Sequence, residues 1–232
     1  MELNPQNEKP LSFKLILHIS YLFPLICFFI LRRKQFKPFI ILMLFYAVSF
    51  FLLLSYYRTL TKWVDQGFYS TFYTFLEYLL FTSFILLNIL SSRLRKLVVT
   101  LSIGFVIFQV VYLLNTSIKN LDTIAIGVET ILLFSYVICF FYEQFRKQTS
   151  LSIYNHYCFW ISVGILIYLG GSFFFYIMAN HLTDSEINRY WEFTYIGEII
   201  KNILFSLSVY LFARNKAENG MNKRILPNLD MV

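Results

Sequence analysis

Seven stretches of about 20 mostly apolar residues follow one another along this chain, and they leave few folds open. They run Phe13–Leu31, Phe39–Tyr57, Phe68–Leu90, Leu97–Leu114, Thr123–Phe145, Tyr157–Asn180 and Phe193–Ala213. At about 1.5 Å per residue, a helix of that length crosses the ~30 Å hydrocarbon layer of a bilayer once, and none of these is long enough to cross twice. Barrel strands would alternate polar and apolar residues over about 10 positions, and these runs do not. The 232 residues are 58% hydrophobic and only 14% charged, where a soluble domain carries about 25% charged residues. A globule of this length has too little interior to hide so much apolar surface, and the mean hydropathy of +0.61 agrees. A soluble enzyme, a nucleic-acid-binding domain, a coiled coil and a disordered tail are excluded as the main body. The expected fold is all-α: one seven-helix transmembrane bundle over residues 13–213. A short external segment (1–12) precedes it, and a loose cytoplasmic tail (214–232) follows.

Lysine and arginine distribution orients the bundle. Loops on one side hold thirteen: Arg32, Arg33, Lys34, Lys37, Arg93, Arg95, Lys96, Arg146, Lys147, Arg214, Lys216, Lys223 and Arg224. Those on the other side hold six: Lys9, Lys14, Arg58, Lys62, Lys119 and Arg189. By the positive-inside rule the first set is cytoplasmic, so the N-terminal end lies outside and the C-terminal end inside. The first run does not read as a cleaved signal, because Glu2 and Glu8 replace a basic leader and Arg32-Arg33-Lys34 follows as a stop-transfer cluster. Pro24 predicts a kink in the first span, and Pro38 opens the second, where its missing N–H costs nothing. Cys27, Cys139 and Cys158 have no CxxC spacing, so neither a disulfide framework nor a metal site is expected. Scarce alanine beside abundant Phe, Ile, Asn and Lys fits a bacterial, AT-rich genome, hence the plasma (bacterial inner) membrane. The loops are too short to hold a kinase, cyclase or nucleotide-binding domain.

Ionisable groups inside spans cost at least ~2.5–3.5 kcal/mol at a helix centre, so each is a functional candidate. Five are expected: His18, Glu77, Glu129, Glu198 and Lys201. All fall on odd-numbered spans, about 5 to 9 residues from the outer end, which places them in one layer ~7–14 Å deep. That coincidence points to an outward-facing polar cavity between the third, fifth and seventh spans. It would hold a small ligand or a proton. Lys201 has two candidate partners, Glu77 on another span and Glu198 at i,i+3 on its own, and the spacing leaves both open. Gln109, Tyr176 and Asn180 are further polar groups at similar depth.

The stretch Phe72-Tyr73-Thr74-Phe75-Leu76-Glu77-Tyr78, the run Phe159–Gly171 and the polar seventh span resemble a broad family of seven-helix bacterial membrane proteins of unassigned function. The layout is similar to seven-helix input modules that precede some bacterial sensor kinases. The resemblance implies sensing, with a partner membrane protein supplying the output domain, and it brings no catalytic residues. Glu77 and Lys201 also resemble the outline of microbial rhodopsins, whose seventh-helix lysine holds retinal. Those proteins usually carry an aspartate four residues before the lysine, where this chain has Gly197, and their sixth-helix proline and paired aromatics are absent here. The expected function is therefore a sensor- or receptor-like module without a cofactor or nucleic acid. A proton-coupled carrier is the alternative. An intramembrane enzyme fits less well, because no H-E-x-x-H or repeated Asp motif is present.

Overall fold

In the computed structural model the described residues are 11–31, 40, 42, 46, 66–115, 123–147, 153–178 and 181–225. They contain helices and no strand. The helices are α1 (Leu11–Leu31), α2 (Gln66–Asn88), α3 (Ser92–Asn115), α4 (Thr123–Lys147), α5 (Tyr157–Met178) and α6 (Asp184–Ile225). Four of them contain segments long and apolar enough to cross a membrane, namely Ser92–Asn115, Ile124–Arg146, Tyr157–Phe175 and Phe193–Arg214. Ile16–Leu31 and Phe72–Asn88 are shorter apolar helices. Six of the seven apolar runs thus coincide with helices. The remaining one, Phe39–Tyr57, lies mostly outside the described residues, but Ile40, Leu42 and Tyr46 within it are helical.

The surface is apolar where a soluble protein would be charged. On α1, Ile16, Ile19, Phe23, Ile26 and Ile30 are exposed at steps of three and four, which is one helical stripe. Helix α3 turns Leu97, Leu101, Ile107 and Leu114 outward and buries Val98, Phe105 and Gln109. Inside, Phe81, Phe84, Ile85, Leu133, Val137, Ile161, Ile165, Phe205 and Val209 form the core. Hydroxyls on the helices return to their own backbone: Ser102 donates to the Val98 carbonyl, Thr130 to Ile126, Ser172 to Tyr168 and Ser206 to Asn202. That bonding lets small polar residues sit in an apolar medium without stranded protons.

Helix α6 packs against α5 and α1, α5 against α4, and α4 against α2 and α3. Paired contacts fix the directions. Glu77 and Phe81 of α2 meet Lys201 and Phe205 of α6 in the same order, so these two helices are parallel. Tyr168 of α5 meets Glu77, while Tyr157 meets Asn88, so α5 runs opposite to α2. Leu90, which leads into α3, donates its N–H to Glu143 near the end of α4, so α3 starts where α4 finishes. The α2–α3 turn is closed by the Arg95 guanidinium, which donates to the Ile89 carbonyl at 2.7 Å. Asn88 beside it accepts from Tyr157 and from the Cys158 thiol. Next to this turn, burial lowers the pKa of His156.

Pro24 is buried inside α1, and the helix continues through it to Leu31. One expectation is corrected in detail. The last helix is longer than Phe193–Ala213 at both ends, and the segment expected to be loose after Arg214 is helical to Ile225. At the start, Thr183 and Glu186 form a capping box: the Thr183 N–H and hydroxyl both donate to Glu186 Oε2, at 2.9 and 2.7 Å. These hydrogen bonds hold the exposed Glu186 carboxyl below its ordinary range. At the other end, Lys216, Ala217 and Glu218 favour helix, and Pro227 disfavours helix at Leu226.

Candidate functional site

One turn of α6 carries Glu198, Lys201 and Asn202, so the three side chains share one side of the helix. The close approach of α5 begins at glycine. The α-carbon of Gly197 faces the Tyr168 backbone, and a Cβ there would lie 3.5 Å from Tyr168 Cα. Gly164 lies under the Phe205 ring, where a Cβ would come within 2.9 Å of Cε1.

Lys201 is 0% exposed. Its Nζ lies 3.9 Å from Glu77 Oε1 and 3.7 Å from Glu198 Oε1. The same ammonium sits 3.7 Å from the centre of the Tyr168 ring, a cation–π contact in a desolvated place. Tyr168 has a second task, because its hydroxyl donates to Glu77 Oε2 at 3.1 Å. Tyr21 of α1 donates to Glu198 Oε1. Below these, Tyr46 donates to Asn202 Oδ1 at 2.7 Å, the Asn202 amide donates to Ser20 Oγ at 2.8 Å, and Ser20 donates to the Leu17 carbonyl. Charged and neutral networks are thus stacked on one side of α6, and every helix that meets α6 there contributes a side chain.

Of the five expected ionisable residues, the structure brings Glu77, Glu198 and Lys201 into one ion-pair cluster. Both candidate partners of the lysine are engaged at once. Glu129 is buried on α4, outside this cluster. His18 is half-buried on α1, one turn from Tyr21. Gln109 is buried on α3. The side chains of Tyr176 and Asn180 lie outside the described residues. The described side chains close over Lys201, whereas Glu198 keeps slight contact with solvent. No group of three or more His, Cys, Asp or Glu among the described residues is arranged to hold a metal ion.

Sequence reasoning overlooks three tyrosines of the site and one buried acid outside it. Tyr21, Tyr46 and Tyr168 are three of 17 tyrosines, and nothing in their spacing separates a polar partner from an interfacial anchor. Glu143 lies within the fifth apolar run but near its end, where a carboxylate is expected to reach water. It is instead buried and accepts the Leu90 N–H at 3.0 Å. The structure gives it this task at the helix break of 89–91, where the Leu90 N–H finds its acceptor in Glu143 rather than in its own helix.

Apolar helices of this length, apolar outer faces and a polar interior are the marks of an integral membrane protein that contacts the lipid bilayer. No protein family, curated protein or solved structure matches the chain.

Proposed function

We propose that this chain is a seven-helix, sensor- or receptor-like module of the bacterial inner membrane, and that Glu77, Lys201 and Glu198 form its proton- or ligand-responsive centre. The N-terminal end lies outside and the C-terminal end in the cytoplasm. The seventh helix belongs to the segment between Leu31 and Gln66, where Leu42 and Tyr46 are helical and buried. Glu129 and His18 border the centre, and a partner membrane protein carries the output.

The observation that carries this reading is the charge count around Lys201. Among the described residues, one buried ammonium faces two carboxyls at 3.9 and 3.7 Å. In a low-dielectric interior an uncompensated carboxylate is costly, and a bound proton or a small cation removes the excess. Uptake or release of that proton changes the pairing among α1, α2, α5 and α6 together, which is the kind of local change that biases a bundle between two arrangements.

Infrared spectroscopy of the purified protein in detergent tests this across pH. A carboxylic-acid carbonyl band is expected at neutral pH, and Glu77→Gln or Glu198→Gln should remove or shift it. Complete ionisation of all carboxyls at neutral pH, with no difference in either variant, would sink the proposal.

A further inference from the structure

Away from Lys201, the seam of α2, α3 and α4 buries polar groups that the ion-pair cluster does not use. Its middle is a hydroxyl triad. Tyr78 donates to Ser102 at 2.9 Å, Tyr78 and Tyr136 are 3.1 Å apart, and Ser102 and Tyr136 are 3.3 Å apart. The triad sets the register of α3 against α4. Seven residues on from Ser102 along α3 is Gln109, and seven residues back from Tyr136 along antiparallel α4 is Glu129. Seven residues are nearly two full turns, so both side chains return to the triad's face, about 10 Å along the seam and at one level. Both are buried, at 1% and 3% exposed. Among the described residues neither amide atom of Gln109 has a hydrogen-bond partner, and neither does Glu129 Oε1.

A buried primary amide offers two donors and an acceptor, and a buried carboxyl adds its own. Groups of this kind left without protein partners are the usual hosts of bound water, which makes about three hydrogen bonds to such atoms. We infer that Gln109 and Glu129 form a second polar site, between α3 and α4, that holds bound water. Water there hydrogen-bonds the Glu129 carboxyl and links it to the Gln109 amide. The water site stands on Gln109 and Glu129 alone and does not depend on the proposed function.

The test uses the full chain in detergent, with infrared difference spectra in H2-16O and H2-18O. An isotope-sensitive water band is expected in the wild type and lost in both Gln109→Met and Glu129→Gln. Glu129→Gln should also remove a carboxyl band distinct from the one lost in Glu77→Gln, and Gln109→Met should shift that band and lower the melting temperature. A higher melting temperature in Gln109→Met, with the Glu129 band unmoved, would overturn the site, since an amide without a partner is better replaced by an apolar side chain. The wild-type water band keeps the question decidable if a variant fails to fold, because its absence overturns the site as well. Retention of the water band without any carboxyl band from Glu77 or Glu198 would sink the reading of the centre and leave the water site standing.

Discussion

At 3.7 and 3.9 Å from carboxyls on two helices, the Lys201 ammonium holds together charges that the interior would not otherwise tolerate. Breaking a buried pair by removing one partner typically costs about 3–5 kcal/mol, while replacing the whole set by apolar groups of similar volume is often neutral. Lys201→Met is therefore expected to be the most damaging single change, because it strands both acids. Glu77→Gln and Glu198→Gln should each cost less, since the lysine keeps one partner. Adding Glu77→Gln to Lys201→Met should recover part of the loss, and adding Glu198→Gln as well should recover more. Thermal unfolding in detergent reads this series, and strictly additive losses would show that the three side chains do not interact. A cluster that apolar residues could replace without loss of stability is retained for what its charges do. The three ionisable members were legible in the sequence because a charge within an apolar run stands out. Their simultaneous pairing was not, since it depends on the rotation of α2 about its axis. The neutral partners Tyr21, Tyr46 and Tyr168 gave no such signal, because a tyrosine suits core, interface and hydrogen-bonded site equally well.

At the level of elements, the α5–α6 contact is what brings Tyr168 and Lys201 together, and it depends on Gly164. The ring that a new Cβ would strike belongs to Phe205, itself 1% exposed and set edge-on to Tyr46 and Phe81 at 6.0 and 6.2 Å. A ring confined on those sides cannot swing away freely. Overpacking of this kind costs about 1–3 kcal/mol, so Gly164→Ala should lower thermal stability by that order. Phe205→Leu in the same background should return part of it, whereas Gly104→Ala and Gly127→Ala, whose added Cβ atoms meet nothing within 4 Å, should be neutral or slightly stabilising. Equal losses at all three glycines would show that the Phe205 contact does not govern the effect, because helix propensity favours alanine at each position. The glycine-containing run in the sixth apolar segment already signals a close helix approach, but which helix approaches is a tertiary fact. The helical extension of α6 to Ile225 was hidden for a different reason. Hydropathy marks where a helix leaves the apolar layer, and says nothing about where its backbone stops being helical.

For the whole molecule, the alternating helix directions turn a one-dimensional charge pattern into a three-dimensional one. Because α2 and α4 end where α3 and α5 begin, and α6 runs parallel to α2, residues Arg93, Arg95, Lys96, Arg146 and Arg214 all come to one end of the bundle. The opposite end carries the capping box of Thr183 and Glu186. Basic side chains follow the cytoplasmic side during insertion, and the excess here recurs at each successive turn rather than resting on a single cluster. The end bearing Arg93, Arg146 and Arg214 is therefore expected to face the cytoplasm, with Glu77, Glu129, Glu198 and Lys201 nearer the outer surface. Fusions check this directly: alkaline phosphatase joined after Lys119 should be active, and a fluorescent protein joined after Arg214 should fluoresce. The reverse pattern would invert the molecule and place the acid–lysine centre nearer the cytoplasm. Two fusions active on the same side would instead remove one crossing between Lys119 and Arg214, a result that the three alternating directions of α4, α5 and α6 could not accommodate.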